Sequence, residues 1–272
     1  MNAKQIRDTI ARGGRVYGTL ITSMASNWPT HIAKTGIDFV FIDTEHIPLN
    51  AETVSQMCRV YAACNMAPLV RIPTIDPCQA SRAIDSGAAG VVVPYVETDK
   101  QVLEVVGAVK LRPLKGKKLD DILFGTESPK AELKDYLHNY NANNLLLVNI
   151  ESCPAIENLD AILSTPQLDG ILVGPHDLSC SLGIPEQYRH RKFTEALRTI
   201  ADSTNSKGLI CGIHFMGCGP TSLAIEWVRL GYNLVIQHAD VIYVAQGLSK
   251  DLEMIRRALW LGHPRSGGDN VD

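Results

Sequence analysis

Two carboxylates and an imidazole lie close together in residues 41–50, which read FIDTEHIPLN. Asp43 ends an apolar run, Glu45 follows it, and His46 comes three residues after Asp43. An imidazole titrates near neutral pH, so His46 has the chemistry of a general base, and Asp43 is placed to orient its ring. The same residue types also suit a solvated turn after a strand. The segment alone therefore leaves both interpretations open, and Glu45 has no assigned role.

A second pair of carboxylates, Glu151 and Asp177, stands at the ends of two further apolar runs, 144–151 and 169–175. If these runs are consecutive strands, the two carboxylates are neighbours and repel each other unless a cation lies between them. A hard divalent cation with oxygen ligands meets this need, and Mg²⁺ is the first expectation. Helix capping is the alternative for Asp177, whereas Glu151 is a poor capping residue.

Other polar residues complete the candidate site. Arg71 interrupts the apolar run LVRIP, and a buried arginine requires a partner, either a ligand carboxylate or enolate oxygen or a structural salt bridge. Asp85 is a second candidate for orienting His46. His176 and Ser179, in the segment GPHDLS, lie at an expected helix start. Backbone N–H groups at such a start can hold a ligand carboxylate.

Eight short runs rich in Val, Ile and Leu must position these residues, and helix-length segments separate the runs. They are 16–22, 38–43, 68–73, 90–96, 144–151, 169–175, 209–215 and 234–240. Near-continuous apolar runs are typical of parallel strands covered by helices. Eight such units predict an α/β fold, a (β/α)8 TIM barrel, whose active site forms at the carboxyl ends of the strands. A doubly wound sheet is the alternative, but the chain has no GxGxxG turn.

The expected domain organisation is one barrel over residues 1–262, followed by a disordered tail, 263–272. Residues 111–143 form a long insertion between strands four and five, and the insertion is basic at its start. Two interpretations of it remain open. It is either a surface excursion with solvated charges or a lid over the carboxyl-end mouth of a barrel.

Composition excludes several classes of function. The formal net charge of −3 gives no concentrated basic face for nucleic acid or for an anionic membrane. No apolar run approaches the roughly 20 residues of a membrane span. The seven cysteines form no CxxC pair and resemble the reduced thiols of cytoplasmic proteins. We therefore expect a cytoplasmic protein with a small-molecule substrate.

The motifs also resemble a known family. FIDTEH, PLVRIP, AIDSGAAGVVVPYVET, VNIES and DGILVGPHDLSCSLG, in this order, are similar to the HpcH/HpaI family of metal-dependent (class II) pyruvate aldolases. The resemblance runs from about Gly18 to Asp240, and the insertion beginning KLRPLKGKKLDD looks closer to the macrophomate synthase branch. It implies a (β/α)8 barrel, usually a hexamer built from domain-swapped pairs, with Mg²⁺, Mn²⁺ or Co²⁺.

The resemblance also implies roles for single residues. Glu151 and Asp177 match the metal ligands, Arg71 the residue that stabilises the pyruvate enolate, and His46 the base. Asp43 and Asp85 match residues associated with that base, and Asn149 and His176 match positions of the substrate pocket. Gly174 and Ser179 are further expected substrate-binding residues. Asn149 stands where glutamine is usual and His176 where alanine is frequent, so the departures fall in the substrate pocket.

The expected function is that of a carbon–carbon lyase, an aldolase acting on 4-hydroxy-2-oxo acids through a pyruvate enolate. A synthase-like reaction is the alternative, in which oxaloacetate is decarboxylated and the enolate adds to an acceptor such as a 2-pyrone. A non-catalytic ligand-binding barrel has less support, because such a module needs no base beside its metal.

Overall fold

Eight parallel strands form a closed barrel in the computed structural model, which describes residues 1–259. Each strand pairs with the next along the chain, and β8 pairs with β1. The strands are β1 (Val16–Leu20), β2 (Phe39–Asp43), β3 (Ala67–Arg71), β4 (Gly90–Val93), β5 (Leu145–Ile150), β6 (Gly170–Val173), β7 (Ile210–Phe215) and β8 (Leu234–Ala239). The predicted TIM barrel is therefore confirmed. The predicted domain limit at residue 262 and the predicted disordered tail lie outside the described residues.

Helices follow and connect these strands. Over residues 1–259 they are α1 (Ala3–Ala11), α2 (Trp28–Ala33), α3 (Ala51–Ala63), α4 (Pro77–Asp85), α5 (Asp99–Lys110), α6 (Gly116–Leu123), α7 (Ala131–Tyr140), α8 (Cys153–Glu157), α9 (Leu159–Leu163), α10 (Pro175–Ser181), α11 (Arg191–Ser206), α12 (Thr221–Val228) and α13 (Asp240–Leu259). Within this part of the chain no helix is both long and apolar enough to cross a bilayer.

The core has two layers because successive strand residues point to opposite sides of the barrel wall. On β2, Phe39 and Phe41 belong to the inner layer, with Leu69 of the neighbouring strand. Val40 and Ile42 belong to the outer layer beneath the helices. Both sides of each strand are thus buried, which explains the continuous apolar runs in the sequence.

The insertion lies at the amino end of the barrel. It leaves from the end of α5, which runs back from the carboxyl ends of the strands, and it returns at the start of β5. Arg112 pairs with Asp85 at the end of α4, and the side chain of Leu119 lies against Gly107 of α5. The predicted insertion is confirmed as two helices, α6 and α7. Its interpretation as a lid over its own barrel's mouth is wrong, because an insertion between a helix and the next strand begins at the opposite end.

A buried carboxylate connects two segments at the carboxyl end of the barrel. Asp240, the first residue of α13, accepts hydrogen bonds from the N–H and hydroxyl of Thr22 (2.9 and 2.6 Å), the N–H of Ser23 (3.0 Å) and the indole N–H of Trp28 (2.8 Å). The N–H of Val241 also donates to it (2.8 Å). Such charge-assisted bonds are strong, so the loop after β1 and the start of α13 are tied together.

Candidate active site

Asp43 and Arg71 form a buried ion pair at the carboxyl ends of β2 and β3. They are register partners on the two strands. Nε of Arg71 donates to Oδ1 of Asp43 at 2.9 Å and Nη2 donates to Oδ2 at 2.6 Å. Strand alternation explains why the two side chains meet inside the barrel. Asp43 and Arg71 stand two positions beyond the inner-layer residues Phe41 and Leu69, so they face the same side. The guanidinium carbon lies 5.5 Å from the centre of the Phe41 ring.

The ion pair changes the pKa of both partners. Burial alone would raise the pKa of Asp43, but the hydrogen bonds and charge of Arg71 outweigh burial and the pKa is lowered. Burial likewise opposes the charged form of Arg71, but the bond to Asp43 outweighs burial and its pKa is raised. Both groups are therefore held in their charged forms.

His46 lies above this pair. Its Nδ1 atom is 3.2 Å from Oδ2 of Asp43 and 2.8 Å from Nη2 of Arg71. In a neutral imidazole each ring nitrogen is either a donor or an acceptor. Nδ1 therefore either donates to Asp43 or accepts from Arg71, but not both at once. When Nδ1 donates to Asp43, Nε2 carries the lone pair and can accept a proton. The ring is half-exposed and lines the cavity described below.

The side chain of Glu45 is buried beside the same guanidinium. Its Oε2 atom is 2.9 Å from Nη1 of Arg71, yet neither carboxylate oxygen accepts a well-aligned hydrogen bond within the described chain. The nearby Glu45 carboxylate also raises the pKa of the Tyr95 hydroxyl to about 12. Donor atoms of Asp43, Glu45 and His46 lie within 4.8 Å of one another and could hold a metal ion. The Arg71 guanidinium already supplies a cation to these groups.

The carboxylates of Glu151 and Asp177 converge across Gly174. Glu151 directly follows β5, and Asp177 lies in the first turn of α10 after β6. A Cβ atom at Gly174 would overlap Oε2 of Glu151 and would lie 3.5 Å from Oδ2 of Asp177. The absence of a side chain at Gly174 therefore leaves room for the two carboxylates to approach one point.

The immediate contacts of Glu151 hold its carboxylate in place. The N–H of Tyr95 donates to Oε1 at 2.9 Å, and Nδ2 of Asn149 donates to Oε2 at 2.7 Å. Tyr95 has a φ of +53°, an unfavourable value for a non-glycine residue. Burial raises the pKa of Glu151, because these bonds compensate for it only in part. Oδ1 of Asn149 is buried and has no partner in residues 1–259.

These residues fit a divalent cation. Two carboxylates supply the hard oxygen ligands that Mg²⁺ prefers. Burial disfavours the negative charge on Glu151, and Asp177 adds a second negative charge beside it, so a cation between the two would stabilise both. The buried oxygen of Asn149 adds an unsatisfied acceptor close by, where it can accept a hydrogen bond from a ligand.

A cavity of about 400 Å³ joins the two groups at the carboxyl end of the barrel. Its lining includes seven of the predicted site residues, Asp43, His46, Arg71, Asn149, Gly174, His176 and Asp177. Glu151 does not line this cavity itself but lies against Gly174, which does. His176 is exposed, with Nδ1 3.7 Å from Oδ1 of Asp177. The structure thus brings most of the predicted site residues to one cavity, which has the size of a small-molecule site.

Two predicted residues lie elsewhere. Asp85 is the last residue of α4, at the amino end of the barrel, and it pairs with Arg112. Since α4 runs away from the end that carries His46, Asp43 contacts this histidine within one chain and Asp85 does not. Ser179 is fully buried. Its hydroxyl donates to the carbonyl of His176 (2.7 Å) and accepts from the N–H of Glu186 (2.9 Å), so it shapes α10 and does not face the cavity.

His214 lines the cavity as well, although we did not assign it to the site from the sequence. Its ring packs edge-on against Phe41 with 5.6 Å between ring centres. Burial and the charge of Arg71 lower its pKa to about 4, so the ring is neutral at physiological pH. The alternation of β7 indicates that His214 faces the inside of the barrel, because Ile210 is an inner-layer residue and His214 lies four positions later on the same strand.

Comparisons with known proteins agree with this geometry. Residues 21–233 match the model of the HpcH/HpaI aldolase/citrate lyase family. The chain is 29% identical over 255 residues to 2-keto-3-deoxy-L-rhamnonate aldolase of Salmonella dublin, with 92% of each chain covered. An HpcH/HpaI aldolase/citrate lyase family protein from Burkholderia cenocepacia superposes with a TM-score of 0.78 at 26% identity, with 93% of this chain and 98% of that chain covered.

Macrophomate synthase is also among the structural neighbours. Its TM-score is 0.75 at 22% identity, with 94% of this chain and 90% of that chain covered. At this identity the likeness shows a shared fold. The family match covers most of the chain and confirms the resemblance seen in the sequence motifs. The protein is therefore an enzyme, a lyase that belongs to the HpcH/HpaI aldolase/citrate lyase family.

Proposed function

We propose that the protein is a metal-dependent aldolase that cleaves 4-hydroxy-2-oxo acids through a pyruvate enolate. One observation carries the proposal: the carboxylates of Glu151 and Asp177 converge at Gly174, and Gly174 and Asp177 line the same cavity as Arg71, Asp43 and His46. The first group suits a cation and the second suits charge stabilisation and proton transfer. The relatives named 2-keto-3-deoxy-L-rhamnonate aldolase support the same reaction class.

Glu151 and Asp177 are the proposed metal ligands, and Mg²⁺ is the proposed ion, with Mn²⁺ or Co²⁺ as alternatives. When bound, the ion supplies Lewis-acid polarisation of the keto group of a 2-oxo acid. Asn149 holds Glu151 through its Nδ2 atom. Its free Oδ1 atom, together with Gly174 and His176, is proposed to contact the substrate.

Arg71 is proposed to stabilise the enolate. Its Nε and Nη2 atoms are committed to Asp43, whereas Nη1 has only the poorly aligned contact with Glu45. N–H groups of Nη1 are thus available to a ligand oxygen. A preorganised donor of this kind acts where negative charge develops, on the keto oxygen as the carbon–carbon bond breaks.

His46 is proposed to be the base, oriented by Asp43. With Nδ1 donating to Asp43, Nε2 can take the proton of the 4-hydroxyl group. The C3–C4 bond then breaks, its electron pair remains with C3 as the enolate, and the hydroxyl carbon becomes the carbonyl of the released aldehyde. A proton returned to C3 gives pyruvate, so atoms and charge balance.

Metal-dependent release of pyruvate from oxaloacetate tests the enolate chemistry without an acceptor. We expect activity with Mg²⁺ that is lost in a Glu151→Gln variant. Glu157→Gln is the matched control, because Glu157 is exposed at the end of α8. Equal activity in the parent and in Glu151→Gln would refute the role of Glu151, and no activity in the parent would refute the enolate mechanism.

A synthase-like reaction is the second candidate. It uses the same enolate, formed by decarboxylation of oxaloacetate, and adds it to an acceptor such as a 2-pyrone. The partly apolar lining of the cavity favours it, since Leu20, Leu172 and Ile242 could contact a ring. Decarboxylation without any cleavage of 4-hydroxy-2-oxo acids would support this candidate over the aldolase.

We also propose that the enzyme is a homo-oligomer, with the hexamer of the family as the expected state. Apolar side chains recur at helical spacing on the exposed surface of α13, at Val244, Leu248, Leu252, Ile255 and Leu259. Such a stripe is typical of a helix that packs on another chain. Light scattering on the purified protein measures the mass, and a monomer would refute the proposal. The free thiols support a cytoplasmic location.

A further inference from the structure

The active-site cavity has one wall without charge. Its charged side chains lie between the end of β2 and the loop after β6, where apolar residues such as Ile47 and Leu172 line it as well. The remaining wall is formed by residues at the carboxyl ends of β7, β8 and β1 and in the first turn of α13. They are Leu20, Met216, Cys218, Ala239, Val241 and Ile242.

Strand order makes this wall continuous. β7 pairs with β8 and β8 pairs with β1, so the three strand ends are neighbours in the closed ring. β3, β4 and β5, which carry or adjoin Arg71 and Glu151, occupy the other side of the ring. The uncharged wall, which we name the apolar wall, therefore faces the side of the cavity that holds Arg71.

The polar groups near the apolar wall are already committed. The hydroxyl of Thr22 donates to Asp240. The Asp240 carboxylate in turn accepts hydrogen bonds from backbone and side-chain groups of the protein. The thiol of Cys218 donates to the carbonyl of Met216 at 3.3 Å. His214 is a neutral ring that packs against Phe41. No group on this wall is therefore available as a cationic partner for a carboxylate, within residues 1–259.

We propose that this enzyme selects acceptors with an apolar tail. Resting on the proposed aldolase function, the inference is that its aldehydes, and the 2-oxo acids formed from them, carry a hydrocarbon chain beyond C4. A terminal carboxylate or a polyhydroxylated chain would lose hydration on the apolar wall and gain no partner there. Val241, Ile242 and Met216 are the specificity-determining residues.

Binding of substrate analogues tests the tail preference without turnover. Calorimetry on the Mg²⁺-loaded enzyme would compare pyruvate, 2-oxohexanoate and 2-oxoglutarate. Each methylene buried on the apolar wall should tighten binding about two- to fourfold. We expect 2-oxohexanoate to bind roughly tenfold or more tightly than pyruvate, and 2-oxoglutarate no more tightly than pyruvate. Tightest binding of 2-oxoglutarate, or affinity that is independent of the tail, would overturn the inference.

A charge placed on the wall should reverse the preference. Val241→Lys introduces a cation in the first turn of α13, and we expect it to favour 2-oxoglutarate over 2-oxohexanoate. Val60→Lys on α3 is the matched control, because both valines are substantially exposed (54% and 43%) but only Val241 lines the cavity. The control should keep the parent's preference. An unchanged preference in Val241→Lys would show that the wall does not contact the tail.

Turnover separates this inference from the proposed function. Aldol addition of pyruvate would be compared for butanal, glyceraldehyde and succinic semialdehyde, with butanal expected to give the highest kcat/KM. Pyruvate release from oxaloacetate needs no acceptor. If that release occurs but glyceraldehyde or succinic semialdehyde is preferred, the proposed function stands and the tail inference fails. If no release occurs, the function fails, and the binding series still shows whether the wall selects apolar tails.

Discussion

Asp43 and Arg71 are partners in the same register position of adjacent strands, and they are joined by two hydrogen bonds of 2.9 and 2.6 Å. A structural salt bridge and a ligand-binding role were alternatives for Arg71 in the sequence. The structure shows the salt bridge, and the proposed mechanism uses the remaining Nη1 group. The ion pair thus holds the guanidinium in one orientation, with Nη1 directed at Glu45 and proposed to contact the substrate.

Arg71→Lys should keep the positive charge at this position but lose the paired hydrogen bonds to Asp43. A lysine cannot bond both oxygens of Asp43 in a fixed plane. We expect kcat/KM for oxaloacetate to fall about 100- to 1000-fold, and the free energy of unfolding to fall by about 1–3 kcal/mol. Steady-state kinetics and urea unfolding measure the two effects. Arg59→Lys on the exposed surface of α3 is the control. Turnover close to that of the parent would refute the role of Arg71.

The stability contributed by Asp43 should depend on pH in the acid range. Its pKa is lowered in the folded state, so this stability is present above the ordinary pKa of 3.8. It is lost as the pH falls below that value through the folded-state pKa. The difference in unfolding free energy between the parent and Asp43→Asn should therefore be constant from neutral pH to about pH 5 and shrink below about pH 4. A difference that grows in acid would contradict this pairing.

Glu151 should behave in the opposite way. Burial raises its pKa, so its favourable contribution is present at acid pH and is lost as the pH rises through the raised value. At neutral pH without metal, Glu151→Gln should be at least as stable as the parent. Mg²⁺ at 100 times its Kd should stabilise the parent by about 2.7 kcal/mol, and the variant much less.

Thermal unfolding with and without Mg²⁺ measures this response. Glu157→Gln should respond to Mg²⁺ as the parent does, because its carboxylate is exposed and is not among the groups that meet at Gly174. A full response to Mg²⁺ in Glu151→Gln would place the metal elsewhere, with the Asp43, Glu45 and His46 group as the next position to test.

His46→Asn should separate the two reactions of the enolate. Cleavage of a 4-hydroxy-2-oxo acid needs a base for the hydroxyl proton, so we expect its kcat to fall about 100- to 10,000-fold. Decarboxylation of oxaloacetate releases no hydroxyl proton and should be retained to a much larger extent. Aldehyde and pyruvate assays follow the two reactions, with His138→Asn on α7 as the surface control. Equal loss of both reactions would argue against a proton-transfer role for His46.

Much of the fold could be predicted from the sequence, because buried parallel strands leave uninterrupted apolar runs. Each of the eight predicted runs overlaps one strand of the barrel, although β1, β3 and β6 end two residues earlier than their runs and β4 ends three residues earlier. The polar residues at the ends of β2 and β3 and directly after β5 could be placed together for the same reason, since a closed parallel barrel brings its strand ends to one mouth.

The placement of single polar side chains was harder to predict, because the pattern of apolar runs does not show which side chains pair. Asp85 was an alternative to Asp43 through the resemblance to the family, although its place just before the predicted strand at 90–96 already puts it at the amino end of the barrel. The position of the insertion could have been inferred, because the predicted helix 100–110 already returns the chain to the amino end. Partners such as Glu45 with Arg71, or Arg112 with Asp85, come from tertiary packing alone.

The bonds to Asp240 have a consequence for how such an enzyme can diversify. They fix the first turn of α13, and with it Val241 and Ile242, through a carboxylate that lies outside the reacting group. The backbone of the apolar wall is thereby held independently of its side chains. Substitutions at 241 and 242 can change which tail is accepted while Glu151, Asp177 and Arg71 keep their geometry. The barrel thus separates the part that performs the reaction from the part that chooses the reactant.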